Sequence, residues 1–216
     1  MKRKFDKKGI YAVITEKFCL NGSSLETLKD VLGAGVKIVQ LREKSMAREK
    51  LIRLAGEYRK LTSRHGAIFI LNDFPDIAAI VKADGVHLGQ DDMDAKEVMA
   101  KYPELIIGIS THCMKEAALA IKQGADYINI GPIFRTKTKD ISKYKPVGCG
   151  RLQKIAGKIG IPFTVMGGIK ACNIRGVSAA GAEMFAMITE ITMAENIGGM
   201  IETINKTISG ADAAKS

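Results

Sequence analysis

Polar side chains follow several short apolar segments of this sequence, at positions that packing alone would not select. One group is QLREK, which begins at Gln40. Side chains alternate across an extended strand. If Val36 and Ile38 point inward, then Gln40, Arg42 and Lys44 point the same way. An amide and two cations on one face suit a phosphate or diphosphate, which Arg binds bidentately and Lys binds as a compact charge. The alternative is a solvated strand end whose cations pair with nearby acids.

Carboxylates follow the next two apolar segments. Asn72-Asp73 ends one of them, and Asp91-Asp92 follows the other. Mg²⁺ is commonly held by one or two carboxylates, with waters and substrate phosphate oxygens completing the shell. Asp73 and one of Asp91 and Asp92 are therefore candidate metal ligands, and Asn72 is a candidate hydrogen-bond donor to a substrate oxygen. The alternatives are a turn at Asn72-Asp73 and an Asp-rich helix N-terminus.

A hydroxyl and a histidine extend this set. Ser110 follows the fifth apolar segment and is a candidate anion contact, although a Ser or Thr here can also cap the helix that begins at Met114. His87 lies inside the fourth segment and is interpreted as a satisfied core residue rather than a base.

Three later segments have the features of phosphate-binding loops. Hydroxyls two apart, followed by Lys, come after a Gly-Pro pair, while paired glycines let backbone N–H groups approach a phosphate closely. Barrel proteins often bind phosphate at the loops after strands seven and eight. The residues concerned are Thr136, Thr138, Lys139, Gly167, Gly168, Ile188 and Thr189. Together with the Arg42–Lys44 group they predict two anionic sites and two substrates, one a monophosphate and the other a diphosphate.

The elements that must position these residues repeat along the chain. Eight apolar segments alternate with helical ones and are predicted as buried parallel strands. Their bounds are Ile10–Thr15, Val36–Leu41, Ala67–Leu71, Gly85–Leu88, Ile106–Ile109, Tyr127–Ile130, Phe163–Met166 and Glu183–Met187. Short connections between eight units favour one closed (β/α)₈ TIM barrel over a doubly wound open sheet, and no G-x-G-x-x-G follows the first strand.

The chain length and the amino-acid composition are compatible with a single domain over residues 1–216. We expect residues 1–8 to form a solvated basic tail and residues 209–216 a flexible one. A net charge of +10 favours an anionic partner, but no basic stripe interleaved with aromatics indicates nucleic acid. No apolar run predicts a signal peptide or a membrane span. The four cysteines form no C-x-x-C pair, so we expect a cytoplasmic protein with reduced thiols.

The motifs, taken in order, resemble those of the thiamine phosphate synthase family from about Ile10 to Thr192. The segments that carry the resemblance are Gln40–Lys44, Asn72-Asp73, Gly85–Asp92, Gly131–Phe134 with Thr136–Lys139, and Gly167–Ile169. The resemblance implies a transferase that joins hydroxymethylpyrimidine diphosphate to a thiazole monophosphate and releases pyrophosphate.

The same resemblance implies roles for individual residues. Gln40 is expected to contact the pyrimidine, and Asp73 and Asp92 to hold Mg²⁺. The residues expected to hold the diphosphate are Arg42, Lys44, Asn72, Ser110 and Lys139, of which Arg42, Lys44, Ser110 and Lys139 are the predicted catalytic groups. The residues that the resemblance assigns to the thiazole phosphate are Thr136, Thr138, Gly168, Ile188 and Thr189. Gly167 joins them as a predicted substrate-binding residue, because it belongs to the glycine pair. The sequence departs from the family at Phe74, usually Arg, and at Thr189, commonly Ser.

Three other functions are considered. A thiazole tautomerase shares the barrel but does not need the diphosphate residues that this chain retains. A phosphate-binding isomerase or aldolase needs an acid/base pair or a Schiff-base Lys, and the sequence offers no convincing one. A nucleic-acid-binding protein is suggested by the net charge alone.

We predict that Lys139→Ala nearly abolishes condensation while leaving the fold intact, because the substitution removes a cation from the leaving diphosphate. Thiamine phosphate formation and the far-UV circular dichroism spectrum would be measured on the same preparation. Full activity in a folded Lys139→Ala protein would contradict this role.

Overall fold

Eight parallel strands close into a barrel in the computed structural model, which describes residues 5, 8–136, 138 and 145–213. Neighbours in the chain are neighbours in the barrel, and β1 pairs with β8 to close it. The strands are β1 (Gly9–Ile14), β2 (Ile38–Leu41), β3 (Ile68–Asn72), β4 (Gly85–Leu88), β5 (Ile106–Thr111), β6 (Tyr127–Ile130), β7 (Phe163–Met166) and β8 (Met184–Met187). The predicted TIM barrel is confirmed, with strand ends shifted by at most two residues.

Helices connect the strands and cover the outside of the barrel. Their bounds are α1 (Ser24–Gly33), α2 (Arg48–Arg64), α3 (Pro75–Ile80), α4 (Ala95–Lys101), α5 (Met114–Lys122), α6 (Gly148–Ala156), α7 (Ile174–Ala179), α8 (Thr189–Thr192) and α9 (Ile197–Ala213). A short 3₁₀ turn, Glu16–Phe18, follows β1. Ser23 caps α1 by accepting a hydrogen bond from the Glu26 amide at 3.3 Å. None of the helices in these described ranges has the length and apolar character that crossing a bilayer requires.

Aspartates tie the start of one strand to the neighbouring strand. Asp84 Oδ2 accepts a hydrogen bond from the Phe69 amide at 2.8 Å, and Asp126 Oδ2 accepts one from the Ile107 amide at 2.7 Å. Gly124 precedes the second aspartate with a φ of +90°, a conformation that glycine adopts without steric cost. These contacts fix the register at the amino ends of the strands and so set where each strand finishes.

Two apolar layers result from the alternation of side chains along each strand. One lies between the strands and the surrounding helices, and the other fills the barrel interior. The interior layer consists of Phe5, Tyr11, Val13, Ile38, Ile68, Ile70, Ile106, Tyr127, Met184 and Ala186. The interior is therefore packed with side chains rather than open as a channel, as expected for eight strands.

The inward-facing rows lead directly to the predicted site residues. Ile38 faces inward, so Gln40 within β2 and Arg42 just past its end continue the same row. Val36 was expected to share this face, and that expectation was wrong. It belongs to the outer layer, because it lies in the turn after α1, where its amide donates to the Val31 carbonyl, and β2 begins only at Ile38.

Two residues of the basic amino-terminal segment, Phe5 and Lys8, make specific contacts in the structure. The Phe5 ring is 4% exposed and stacks on Tyr127 with ring centroids 3.8 Å apart. Lys8 forms an ion pair with Glu183 at 2.6 Å. Helix α9 extends to Ala213, into the segment expected to be flexible. Apolar burial orders Phe5 at the amino end of the barrel, because its ring closes the bottom of the interior layer.

We predict that Gly108→Ala lowers the free energy of unfolding by about 1–3 kcal/mol, the usual cost of overpacking. A Cβ at this position would lie 2.1 Å from Tyr127 Cζ, inside the buried ring. Urea denaturation followed by circular dichroism measures the effect.

Gly56→Ala is the matched control, because a Cβ there meets nothing within 4 Å and Ala favours the helical conformation of α2. We expect this control to be neutral or stabilising. Equal stability of the two variants would contradict the packing described for Tyr127.

Candidate active site

The end of β2 holds Arg42 by its backbone. The Arg42 amide donates to the Ile14 carbonyl at 2.9 Å, and its carbonyl accepts from Thr15 Oγ1 at 2.8 Å. Burial lowers the pKa of Arg42, while the negative charges of Asp73 and Glu43 act in the opposite direction. The side chain is thus a poorly solvated cation on a fixed backbone, and such a group binds an anion at little ordering cost.

Asp73 and Asp92 come together at the rim although they follow different strands. Their carboxyl groups lie within hydrogen-bonding reach of each other, and Asp92 Oδ2 accepts from the Gly89 amide at 2.6 Å. Burial raises the pKa of Asp73, the negative charge of Asp92 raises it further, and a hydrogen bond from Lys44 lowers it. Two crowded carboxylates are a chemically suitable donor set for a hard divalent cation.

Lys44 forms an ion pair with Asp73, with Nζ 3.0 Å from Oδ2. The alternative considered for QLREK, pairing of its cations with nearby acids, therefore holds for Lys44, and the acid is the predicted metal ligand. No group of three or more metal-binding His, Cys, Asp or Glu side chains occurs in the described part of the chain. A cation held by Asp73 and Asp92 would need further oxygen ligands from water or substrate.

Asn72 supplies an unsatisfied donor beside this pair. Its side chain is 5% exposed, and Nδ2 finds no hydrogen-bond acceptor among the residues that the structure describes. Leaving a buried amide donor unpaired costs about 1–3 kcal/mol. A substrate oxygen at this position would satisfy the donor, as the sequence prediction for Asn72 requires.

Ser110 belongs to β5, one residue beyond the predicted end of that strand. The alternative that Ser110 or Thr111 caps α5 is wrong, because Cys113 occupies the cap position. Ser110 Oγ instead lies 2.9 Å from His87 Nε2. His87 is buried, as predicted for a core residue, and Nδ1 lies 2.9 Å from the Tyr127 hydroxyl.

The paired glycines after β7 are required by the loop that follows β6. A Cβ at Gly167 would lie 2.6 Å from Pro132 Cβ, and one at Gly168 would lie 2.5 Å from the Arg135 carbonyl oxygen. The Phe134 amide donates to the Gly167 carbonyl at 2.9 Å. The loop after β6 is thereby held against the end of β7, on the predicted phosphate-binding side.

A cleft of about 640 Å³ opens on this side of the rim. The predicted thiazole-phosphate residues Thr136, Thr138, Gly167, Gly168, Ile188 and Thr189 all line it. The hydroxyl oxygens of Thr136 and Thr138 lie 3.0 Å apart, so the two side chains form a pair at the cleft wall.

A second cleft, of about 650 Å³, opens across the rim and is lined by Arg42 and Lys44. Thr138 lines both clefts, and a small cavity of about 70 Å³ that includes Arg42 and Ser110 lies between them. Lys139, predicted to complete the diphosphate site, lies outside the described residues. Of the remaining predicted residues, the thiazole-phosphate set lines the first cleft, Arg42 and Lys44 line the second, and Ser110 lines the small cavity. Gln40, Asn72, Asp73 and Asp92 line none of the three.

Sequence reasoning missed the aromatic residues beneath the clefts. Tyr11 and Tyr127 point into the barrel, and Gln40 Nε2 donates to the Tyr11 hydroxyl at 2.7 Å. Asn129 is buried and also lines the small cavity. Strand parity could have found all three, because each lies on the inward row of its strand. Phe74 packs against the outer layer and supplies no charge to the site.

A closed parallel barrel whose clefts open at the carboxyl rim defines the class: a TIM-barrel enzyme. Residues 10–191 match the TMP-TENI family, thiamine monophosphate synthase, and the chain belongs to that family. It is an enzyme of the transferase class, and thiamine-phosphate synthase is the function that its relatives support.

Individual relatives agree with this assignment. The chain is 41% identical over 202 residues to the thiamine-phosphate synthase of Pelotomaculum thermopropionicum, covering 93% of this chain and 92% of that protein. It is 41% identical to the one from Lawsonia intracellularis, covering 92% of each. The solved thiamine phosphate pyrophosphorylase of Pyrococcus furiosus superposes with a TM-score of 0.87 at 30% identity, covering 94% of this chain and 96% of that one.

We predict that Asp73→Asn raises the thermal midpoint at pH 7 in metal-free buffer by about 2–4 °C, the shift typical of ~1 kcal/mol in a chain of this size. A neutral amide removes the repulsion with Asp92, and Asn also tolerates the φ of +69° at this position. Because the Asp73 pKa is raised in the folded state, the native protein retains the proton longer than the unfolded chain. The advantage of the variant should therefore grow as the pH rises above the usual aspartate value of about 3.9, and vanish below it.

Asp76→Asn is the matched control, since Asp76 pairs with Arg48 at 2.6 Å on the surface, where ion pairs contribute little. Added Mg²⁺ should raise the midpoint of the wild type and of Asp76→Asn, but not that of Asp73→Asn. Destabilisation by Asp73→Asn at pH 7, or an unchanged response to Mg²⁺, would contradict the carboxylate pair as described.

Proposed function

We propose that the protein condenses hydroxymethylpyrimidine diphosphate with hydroxyethylthiazole phosphate to give thiamine phosphate and pyrophosphate. The observation that carries the proposal is the arrangement of two clefts on either side of a small shared cavity, one lined by Arg42 and Lys44 and one by glycines and threonines. Lys44 links the first of these clefts to the carboxylate pair through its ion pair with Asp73. Two anionic substrates bound in these clefts would present their reacting ends to each other.

The diphosphate occupies the cleft beside β2 in this proposal. Arg42 binds phosphate oxygens bidentately. Lys44 gives up its ion pair with Asp73 and pairs with a diphosphate oxygen instead. The unpaired amide of Asn72 donates a hydrogen bond to another diphosphate oxygen. Ser110 and Lys139 complete the set expected from the family. Asp73 and Asp92 would hold Mg²⁺, which when bound neutralises charge on the diphosphate and on the departing pyrophosphate.

The two ring systems and the second phosphate take the remaining residues. Gln40, buried beneath the cleft, contacts the pyrimidine through its amide. The thiazole phosphate occupies the 640 Å³ cleft. Its oxygens accept hydrogen bonds from the hydroxyls of Thr136 and Thr138 and from backbone N–H groups at Gly167–Gly168 and at Ile188–Thr189.

The reaction is a dissociative substitution. The bond between the pyrimidine methylene carbon and the diphosphate oxygen breaks first, and pyrophosphate leaves with the electron pair. The thiazole nitrogen lone pair then forms the new bond to the resulting carbocation. The chain stabilises the leaving anion with Arg42, Lys44 and Lys139 and positions the nucleophile, so that little general-base chemistry is required.

Asp73 and Asp92, which a tautomerase of the same barrel family does not need, favour the synthase. Neither the tautomerase nor a barrel isomerase or aldolase gains a specific observation in its favour. The cytoplasmic location and the absence of a nucleic-acid partner stay predictions from composition.

The direct test mixes the purified protein with both substrates and Mg²⁺ and measures thiamine phosphate, with EDTA as control. We predict that Asp92→Asn lowers kcat/KM at least about 100-fold, because one carboxylate of the pair and its charge are lost. Asp91→Asn is the matched control, since it removes the adjacent but exposed carboxylate.

We expect Asp91→Asn to retain wild-type activity. Thiamine phosphate formation that is unaffected by EDTA, or an Asp92→Asn variant as active as Asp91→Asn, would contradict the metal role. A wild-type protein that forms no thiamine phosphate would contradict the proposed function itself.

A further inference from the structure

A chain of hydrogen bonds crosses the barrel interior beneath the two clefts. Gln40 Nε2 donates to the Tyr11 hydroxyl at 2.7 Å, and this hydroxyl lies 3.0 Å from that of Tyr127. The Tyr127 hydroxyl lies 2.9 Å from His87 Nδ1, and His87 Nε2 lies 2.9 Å from Ser110 Oγ. We refer to these five residues as the Gln40–Ser110 chain. It joins the residue assigned to the pyrimidine with one assigned to the diphosphate.

The number of protons available in the Gln40–Ser110 chain determines which residue donates in each of its hydrogen bonds. With Gln40 donating to Tyr11, the single hydroxyl proton of Tyr11 goes to Tyr127, and that of Tyr127 goes to His87 Nδ1. The imidazole proton then lies on Nε2 and is donated to Ser110 Oγ. The Ser110 hydroxyl proton is thereby directed towards the small cavity that Ser110 lines.

Burial supports this distribution of protons. Both phenols are completely buried, and burial raises the pKa of Tyr11 and of Tyr127, so each keeps its proton. The neutral hydroxyls can then each donate one hydrogen bond and accept another. In a site of low dielectric, reversing the Tyr11–Tyr127 bond would leave the buried Tyr11 proton without an acceptor among these residues, which is costly. Moving the imidazole proton to Nδ1 would set it against the hydroxyl proton of Tyr127.

Packing holds Tyr127, in the middle of the Gln40–Ser110 chain, in place. The Tyr127 ring stacks on Phe5 with an interplanar angle of 12°, and it occupies the space that a side chain at residue 108 would take. Gly108 is therefore the residue that admits the ring. Tyr127 has little freedom to turn its hydroxyl away from its two partners.

We propose that the Gln40–Ser110 chain couples recognition of the pyrimidine to recognition of the diphosphate. It fixes the Gln40 amide so that Oε1 accepts from a ring amino group, and it fixes the Ser110 hydroxyl as a donor to a phosphate oxygen. Tyr11, Tyr127 and His87 are positioning residues in this scheme. The inference rests on the proposed function and adds a specificity rule: the ring must offer a donor where the attached group offers acceptors.

The His87 tautomer is a direct readout of the direction of the chain. The sequence has three histidines, so ¹⁵N-histidine labelling gives few signals, and a His87→Gln variant assigns the relevant ones. In the full-length protein without substrate we expect the Nε2–H tautomer. Tyr127→Phe removes the donor to Nδ1 while keeping the ring, and should abolish this fixed tautomer.

Tyr58→Phe is the matched control. Tyr58 is also completely buried, but its hydroxyl donates to the Ser24 carbonyl at 3.0 Å in the outer layer. It should leave the His87 signals unchanged. Tyr11→Phe breaks the chain one bond earlier and provides a second variant if Tyr127→Phe does not fold.

Kinetics test the coupling in the Mg²⁺-loaded enzyme. Tyr127→Phe removes a hydrogen bond of the Gln40–Ser110 chain. It should raise KM for the diphosphate substrate about three- to tenfold and change kcat less. Tyr58→Phe should keep both constants. For an analogue that carries a ring carbonyl in place of the amino group, KM of Tyr127→Phe should differ less from KM of the wild type. The reason is that the fixed Gln40 amide no longer favours binding of this analogue to the wild type.

The outcomes separate the two proposals. Wild-type tautomer and KM in folded Tyr127→Phe and Tyr11→Phe, with an active wild type, would overturn the coupling and leave the proposed function standing. An inactive wild type would overturn the proposed function, while the ¹⁵N signals would still test the chain. A tautomer change in Tyr58→Phe equal to that in Tyr127→Phe would also overturn the inference.

Discussion

Closure of eight parallel strands into a barrel forces every inward-facing row of side chains to finish at the same rim. Residues far apart in sequence become neighbours at this rim because the strands bring them there, and no interaction between their side chains is needed. Gln40 and Arg42 continue the row of Ile38, and Asn72 continues the row of Ile70. The two-residue repeat of a strand, together with the register set at its amino end by Asp84 and Asp126, therefore decides which side chains reach the site.

The rim gathers charges that would repel one another elsewhere. Asp73 and Asp92 crowd together, and Lys44 compensates one of them. Arg42 is a poorly solvated cation nearby, and Asn72 has a buried donor without an acceptor. Each of these features costs stability in the free protein, and each would be relieved by a diphosphate with its cation. Strained electrostatics of this kind are typical of binding and catalytic sites.

The sequence predicted the framework well because its signals were periodic. Apolar runs located all eight strands, and the predicted start of a helix at Met114 is the observed start of α5. Most candidate site residues were proposed for the same reason, since they follow directly from strand ends. Val36 was misplaced because a turn residue was counted as part of a strand, and Phe5 because a single aromatic in a basic segment carries no periodic signal.

The interior chain from Gln40 to Ser110 lay beyond sequence reasoning for a different reason. Each of its residues satisfies strand parity alone, so the sequence gives no indication that Tyr11, Tyr127 and His87 are hydrogen-bonded across three strands. Their contacts depend on barrel stagger and on Gly108 leaving space for a ring. Such three-dimensional coincidences are set by the closure of the sheet, which local patterns do not encode.

We propose that paired carboxylates and cations at one rim form a single diphosphate site that is completed by a metal. Calorimetric titration of inorganic pyrophosphate into the full-length protein, with and without Mg²⁺, tests it most directly. We predict tight binding only when Mg²⁺ is present, and loss of this dependence in Asp92→Asn but not in Asp91→Asn. Pyrophosphate binding of equal strength with and without Mg²⁺ in the wild type would contradict it.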